Sequence, residues 1–175
     1  MAVKKNGLFG VKCATKTDFV NKVFNQFPAV IDSCTNEVFS KLGEETVKFI
    51  RQQPKEQSWI DQTGNLRSSI GYAVIVDGKI SQVSSFNQVK QGNQGTTIGK
   101  GYAVDIAHKL AQTSVYAGVV IVAGMEYAVY VERMKNKVVL SAGVLWATKN
   151  FPVKLEVLRK KIFQTLNKLI KDEIK

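Results

Sequence analysis

Apolar positions divide the chain into helical and strand-like segments. Phe19, Val20, Val23, Phe24 and Phe27 fall on one helical face, with Thr15 and Asp18 placed as a helix start. Pro28 is expected to end or kink that helix. A longer stripe follows through Val30, Ile31, Cys34, Val38, Leu42, Val47, Phe49 and Ile50, weakened at Gly43 and closed at Pro54. It suits either core packing or docking on a neighbouring subunit. The pattern then changes to a period of two. Tyr72 to Val76 reads as a strand, Asp77-Gly78 as a type I′ turn, and Ile80 to Phe86 as the returning strand. Residues 87–101 carry Gly92, Gly95, Gly99 and Gly101 among Asn and Gln, and read as a mobile loop or an extended hairpin tip. Ala103, Ile106, Ala107 and Leu110 share one side of a short helix over 102–112. The β-branched run Val115 to Ala123 predicts a central strand, and Val138 to Leu140 a further short one. Asn150-Phe151-Pro152 sets up a last helix, whose Leu155, Leu158, Ile162, Leu166, Leu169 and Ile170 recur at three and four residues.

These elements predict an α+β fold: a small, mainly antiparallel sheet packed against a long N-terminal helix and a C-terminal helix. The 175 residues suffice for one domain over 15–175, behind a flexible basic arm at 1–14. Hydrophobic residues make up 45% and charged residues 22%, which excludes disorder throughout. No apolar run reaches the roughly 18 residues of a membrane span, and no secretory leader is recognisable, so synthesis in a cytoplasm is expected. Cys13 and Cys34 make no disulfide framework, and Cys34 belongs to a buried helical face.

The formal net charge of +11 attracts acidic partners. Over 149–175 alone, eight Lys or Arg stand against three acids. Lys154, Arg159, Lys160 and Lys161 are therefore either a solvated helix face or groups facing nucleic acid. Little else suggests chemistry. Gly95-Thr96-Thr97-Ile98-Gly99-Lys100-Gly101 is one residue short of a phosphate loop and has Gly101 where Ser or Thr is needed. His108, the single histidine, has no nucleophile motif beside it. Glu44 and Glu45 are adjacent and so point to different sides of a helix. No enzyme, cofactor or metal site is expected. The aromatic residues, Trp59 among them, fit packing as well as base stacking.

The most informative stretch is Asp61-Gln62-Thr63-Gly64-Asn65-Leu66-Arg67-Ser68-Ser69-Ile70. It reads as a tight turn at Gly64, one helical turn that puts Leu66 and Ile70 on one stripe, and a strand start. Farther along stands Tyr127-Ala128-Val129-Tyr130-Val131-Glu132. In this order and context the two segments resemble those of the neck, or tail-completion, proteins of tailed bacteriophages, over roughly residues 30–165. The resemblance implies a structural virion protein, assembled in the host cytoplasm. Its copies would form a head-to-tail ring at the neck, between the portal or adaptor and the tail, around the channel for DNA. It implies that Gly64, Leu66, Arg67 and Ile70, with Trp59 beside them, shape the joint between long helix and sheet. Tyr127, Tyr130 and Glu132 would lie near the sheet and subunit contacts, with Glu132 in a buried salt bridge or an interface. Lys154, Arg159, Lys160 and Lys161 would face DNA without reading its sequence. Where relatives carry Gly-Thr and Pro-Phe, this chain has Arg133-Met134-Lys135-Asn136 and Val138-Val139-Leu140-Ser141, which alters the partner surface there. The alternative reading is a basic accessory protein that binds nucleic acid non-specifically.

Overall fold

The computed structural model describes residues 17–54, 59–113, 115–134 and 137–174. The proposed arm at 1–14 and the cap at Thr15 lie outside the described residues. The elements run α1 (Thr17–Arg51), α2 (Asn65–Ser68), β1 (Ile70–Val76), β2 (Lys79–Val83), α3 (Asn93–Ala111), β3 (Ala117–Ala123), α4 (Ala128–Arg133) and α5 (Ser141–Ile174). Three antiparallel strands in the order β2-β1-β3 form the sheet, and the fold is α+β.

The sheet is the middle layer. On one face Tyr72, Val74 and Val76 of β1, with Val119 and Ile121 of β3, pack against α1. On the other, Ala73, Ile75, Val120 and Val122 meet Phe86 and the small residues Ala103 and Ala107 of α3. β1 is therefore covered on both sides, and all seven of its residues are buried. Its sequence IGYAVIV accordingly lacks the polar alternation of a one-sided strand. Fully burying side chains such as Leu66, Ile70 and Ile75 contributes about 1.5–3 kcal/mol each.

α5 runs antiparallel to α1. Phe49 stacks on Trp146 with ring centres 5.5 Å apart, Phe39 lies 5.8 Å from Phe151, and the Cys34 thiol donates to the Thr165 hydroxyl at 3.8 Å. As α1 is followed back toward its start, the contacts move forward along α5.

Several expectations are corrected. α1 continues through Pro28, so the two N-terminal patterns are one helix. Proline removes one helical hydrogen bond, and the packing of the rest against the sheet and α5 carries the helix across it. On the first apolar face Val23 is buried and Phe24 is 61% exposed. Residues 93–101 are helical and open α3, not a loop. Their glycines face neighbouring backbone: a Cβ on Gly95 would stand 2.0 Å from the Asn65 carbonyl oxygen, and one on Gly99 2.5 Å from that of Ser69. β3 is an edge strand and β1 the central one. Residues 138–140 form no strand. α5 begins at Ser141, and Pro152 lies inside it rather than at its start.

Candidate functional site

The stretch 59–70 is a clasp between α1 and the sheet. Gly64 takes φ 84°, and a Cβ there would sit 1.9 Å from the Val89 carbonyl oxygen. The Asp61 carboxylate organises the turn. Its Oδ1 accepts the Gly64 N–H and its Oδ2 the Arg67 N–H, both at 2.9 Å. One acid thus satisfies two free donors at the start of α2. Leu66 and Ile70 are fully buried, as their spacing predicts.

Two arginines cross between the ends being joined. The Arg51 guanidinium donates to the Ile70 carbonyl at 2.7 Å, from the last residue of α1 to the first of β1. The Arg67 guanidinium donates to the Arg51 carbonyl, at the C-terminus of α1 where a cation is favoured. It also lies over the buried Trp59, whose ring centre is 4.8 Å from the guanidinium carbon. Desolvation pulls the Arg51 pKa down. Trp59 and Arg67 therefore belong to the joint itself. Asp61 is the residue that sequence reasoning missed. A cap three residues before a glycine was its signal.

The 127–132 segment meets this joint. The Tyr127 phenol is pushed up in pKa by burial and by the Asp61 charge, against hydrogen bonds with Thr63 and the Leu66 backbone. Tyr130, by contrast, is 69% exposed. From α4, Glu132 caps the start of α5: Oε2 accepts the N–H groups of Val139 and Leu140, both at 2.7 Å, and Oε1 accepts the Ser141 N–H at 3.2 Å and the Ser141 hydroxyl. Burial alone would raise its pKa. The Ser141 hydroxyl and the three N–H groups outweigh it and hold Glu132 below the usual carboxylate range.

Beside α4 an apolar groove of about 890 Å³ opens between α3 and the start of α5. Tyr102, Val129, Val144 and Leu145 line it, all exposed, Leu145 by 72%. Such a grouping exceeds the scattered surface apolar residues of an ordinary chain.

The basic residues of α5 separate into two kinds. Lys154 pairs with Glu45 at 2.7 Å, and Lys161 pairs with Glu37. Both tie α5 to α1. Arg159 lies 3.9 Å from Glu156 on its own helix, and Lys160 is exposed. Glu44 and Glu45 do diverge, Glu44 accepting the Tyr72 hydroxyl at 3.2 Å. Gly95 to Gly101 lie within α3, so they form no phosphate loop. His108 is exposed. Among the described residues there is no group of three or more metal-ligating side chains, and no helix is long and apolar enough to cross a membrane.

Comparison with protein-family models, with curated proteins and with solved structures found no match.

Proposed function

We propose that this chain is a structural protein of a tailed-phage neck, whose copies form a ring joining the portal or adaptor to the tail. It acts by assembly, not catalysis. The observation that carries the reading is the convergence of its two diagnostic segments. Leu66 and Ile70 of the first share one buried cluster with Ala128 of the second, and Val131 packs against it. Residues far apart in sequence thus form one unit, and that unit stands beside the open apolar groove of Tyr102, Val129 and Leu145. A rigid joint flanked by exposed apolar surface is what a subunit needs to hold a neighbour at a fixed angle. The reading as a basic nucleic-acid-binding accessory ranks second, because Lys154 and Lys161 are engaged with α1.

The test is to locate the chain in purified virus particles by cryo-electron microscopy and count its copies. Ring density at one vertex, between portal and tail, is the expected result. Absence from particles would overturn the proposal.

A further inference from the structure

β3 leaves one edge of the sheet open. The Tyr72 carbonyl accepts from Ser84 on the β2 side, at 2.9 Å, and the Ser69 carbonyl accepts from Gly124 on the β3 side, at 3.1 Å. Ser69 and Gly124 continue the register that pairs Ile70 with Ala123. Alternation along an antiparallel ladder then turns the backbone groups of Gly118, Val120 and Val122 toward β1. Those of Ala117, Val119, Ile121 and Ala123 point away from the sheet, and none of these four bonds to another described residue outside it.

Edge strands are ordinarily blunted by a charge, a proline, a bulge or shortness. β2 is five residues long, carries Lys79 and pairs with a register shift. β3 has none of these devices. Its seven residues, AGVVIVA, are uncharged and pair with β1 without a shift. Next to the open edge, Val119 and Ile121 form one wall of an apolar cavity of about 510 Å³, closed by Leu42, Val144 and Phe151.

We propose that two copies of this chain pair through β3, antiparallel, across a two-fold axis at Val120, to make one six-stranded sheet. About that residue Val119 is matched by Ile121 and Ala117 by Ala123, and Gly118 falls opposite Val122, where the smaller residue leaves room for the larger. Val119 would bond Ile121 of the second copy, and Ala117 would bond Ala123, which uses the outward-pointing groups and no others. On the cavity side, Ile121 of the second copy falls beside Val119, so apolar meets apolar. β2 fits that place worse. Its Lys79 and Gln82 pair with Val76 and Val74 and so share their face, which would bring an ammonium and an amide to the apolar cavity. The pairing concerns the free chain. A head-to-tail ring uses other contacts, so the two proposals stand or fall separately.

Sedimentation velocity on the full chain is the first measurement, with twice the 19.4 kDa chain mass expected. The second uses Val120→Cys in a background of Cys13→Ser and Cys34→Ala. Val120 would face itself at a non-hydrogen-bonded position, where Cα atoms approach to about 4.5 Å, so mild oxidation should link two chains. Lys79→Cys in the same background should not link. Val119→Pro removes an N–H that points away from β1. It should leave the circular dichroism unchanged and halve the mass. If that variant does not fold, the cysteine pattern decides. A monomer up to the highest soluble concentration, a folded Val119→Pro dimer, or an oligomer in which Val120→Cys stays unlinked would each overturn the proposal. Localisation in virus particles is read separately and bears on the ring alone.

Discussion

The guanidinium of Arg67 lies over the indole of Trp59, with 4.8 Å between its carbon and the ring centre, while it also donates to the Arg51 carbonyl. One side chain thus closes the end of α1 and roofs a buried aromatic. Lysine supplies the charge but neither the planar stack nor the fork. Arg67→Lys should cost about 1–2 kcal/mol of stability. Urea unfolding checks this. Unchanged stability would mean that the contacts of Arg67 are incidental to the joint.

Gly64 and Gly101 should respond to alanine with opposite signs. Gly64 combines a left-handed φ of 84° with the Val89 carbonyl oxygen 1.9 Å from where a Cβ would stand. Gly64→Ala should lose at least about 2 kcal/mol. Gly101 lies within α3, and a Cβ there meets nothing within 4 Å. Gly101→Ala should gain about 0.5–1 kcal/mol from helix propensity. Thermal unfolding of the two variants against the parent gives both signs directly.

These two glycines also mark what could be read from sequence. Gly64 was legible because Thr63 and Asn65 flank it, and Leu66 and Ile70 set the period after it. The glycines of α3 were misleading. Gly95 and Gly99 lower helix propensity, yet they face the Asn65 and Ser69 carbonyls, where any larger residue would collide. That need is tertiary and invisible in a local window. Pro28 and Pro152 misled in the same way, since packing of α1 against α5 carries both helices across them. The β-branched run of β3 signalled a buried strand but not its place in the sheet. Sheet order depends on partners distant in sequence. The capping role of Glu132 was hidden because the free N–H groups it serves begin a helix whose start was sought at Pro152 rather than Ser141.

Glu132 predicts a dependence on acid. Its carboxylate is held below the usual range, so the folded chain binds that proton more weakly than the unfolded chain. Its contribution is present above the ordinary glutamate range and is lost as pH falls through the folded value. Glu132→Gln should cost about 1–2 kcal/mol at neutral pH, since an amide cannot accept all four donors. It should also flatten the loss of stability as pH falls below the ordinary glutamate range. A variant that keeps the parent's acid profile would place the titrating group elsewhere.

The basic face of α5 gives a prediction that separates structure from nucleic-acid contact. Lys154 is 19% exposed and 2.7 Å from Glu45. Lys154→Gln should therefore lower stability, with a coupling to Glu45→Gln of about 0.5–1 kcal/mol in a double-mutant cycle. Its effect on duplex DNA binding should be no larger than that of Lys160→Gln, and the salt slope of any such binding should not change. A drop of one in that slope on Lys154→Gln alone would give this lysine to a phosphate instead.

Tyr72 predicts an alkaline limit. Burial is the main reason its phenol is pushed up to about 12. The Glu44 charge and hydrogen bond add to it, and Gln82 and Ser40 oppose it. The folded value lies above that of an unfolded tyrosine, about 10. The folded chain thus holds this proton more tightly. That stabilising contribution is complete below the unfolded value and disappears as pH rises from 10 toward 12. The exposed Tyr116 is also pushed up to about 12, first by its hydrogen bond with Asp32, so it must be separated from Tyr72. In a spectrophotometric titration Tyr72→Phe should remove one late-ionising phenol and leave those of Tyr116 and Tyr127. It should be less stable at neutral pH, because the Gln82 amide and the Glu44 carboxylate lose a shared partner. Its stability should then fall less steeply than the parent's between pH 10 and 12. A Tyr72→Phe variant with the parent's alkaline profile would show that the phenol ionises as freely in the fold as in water.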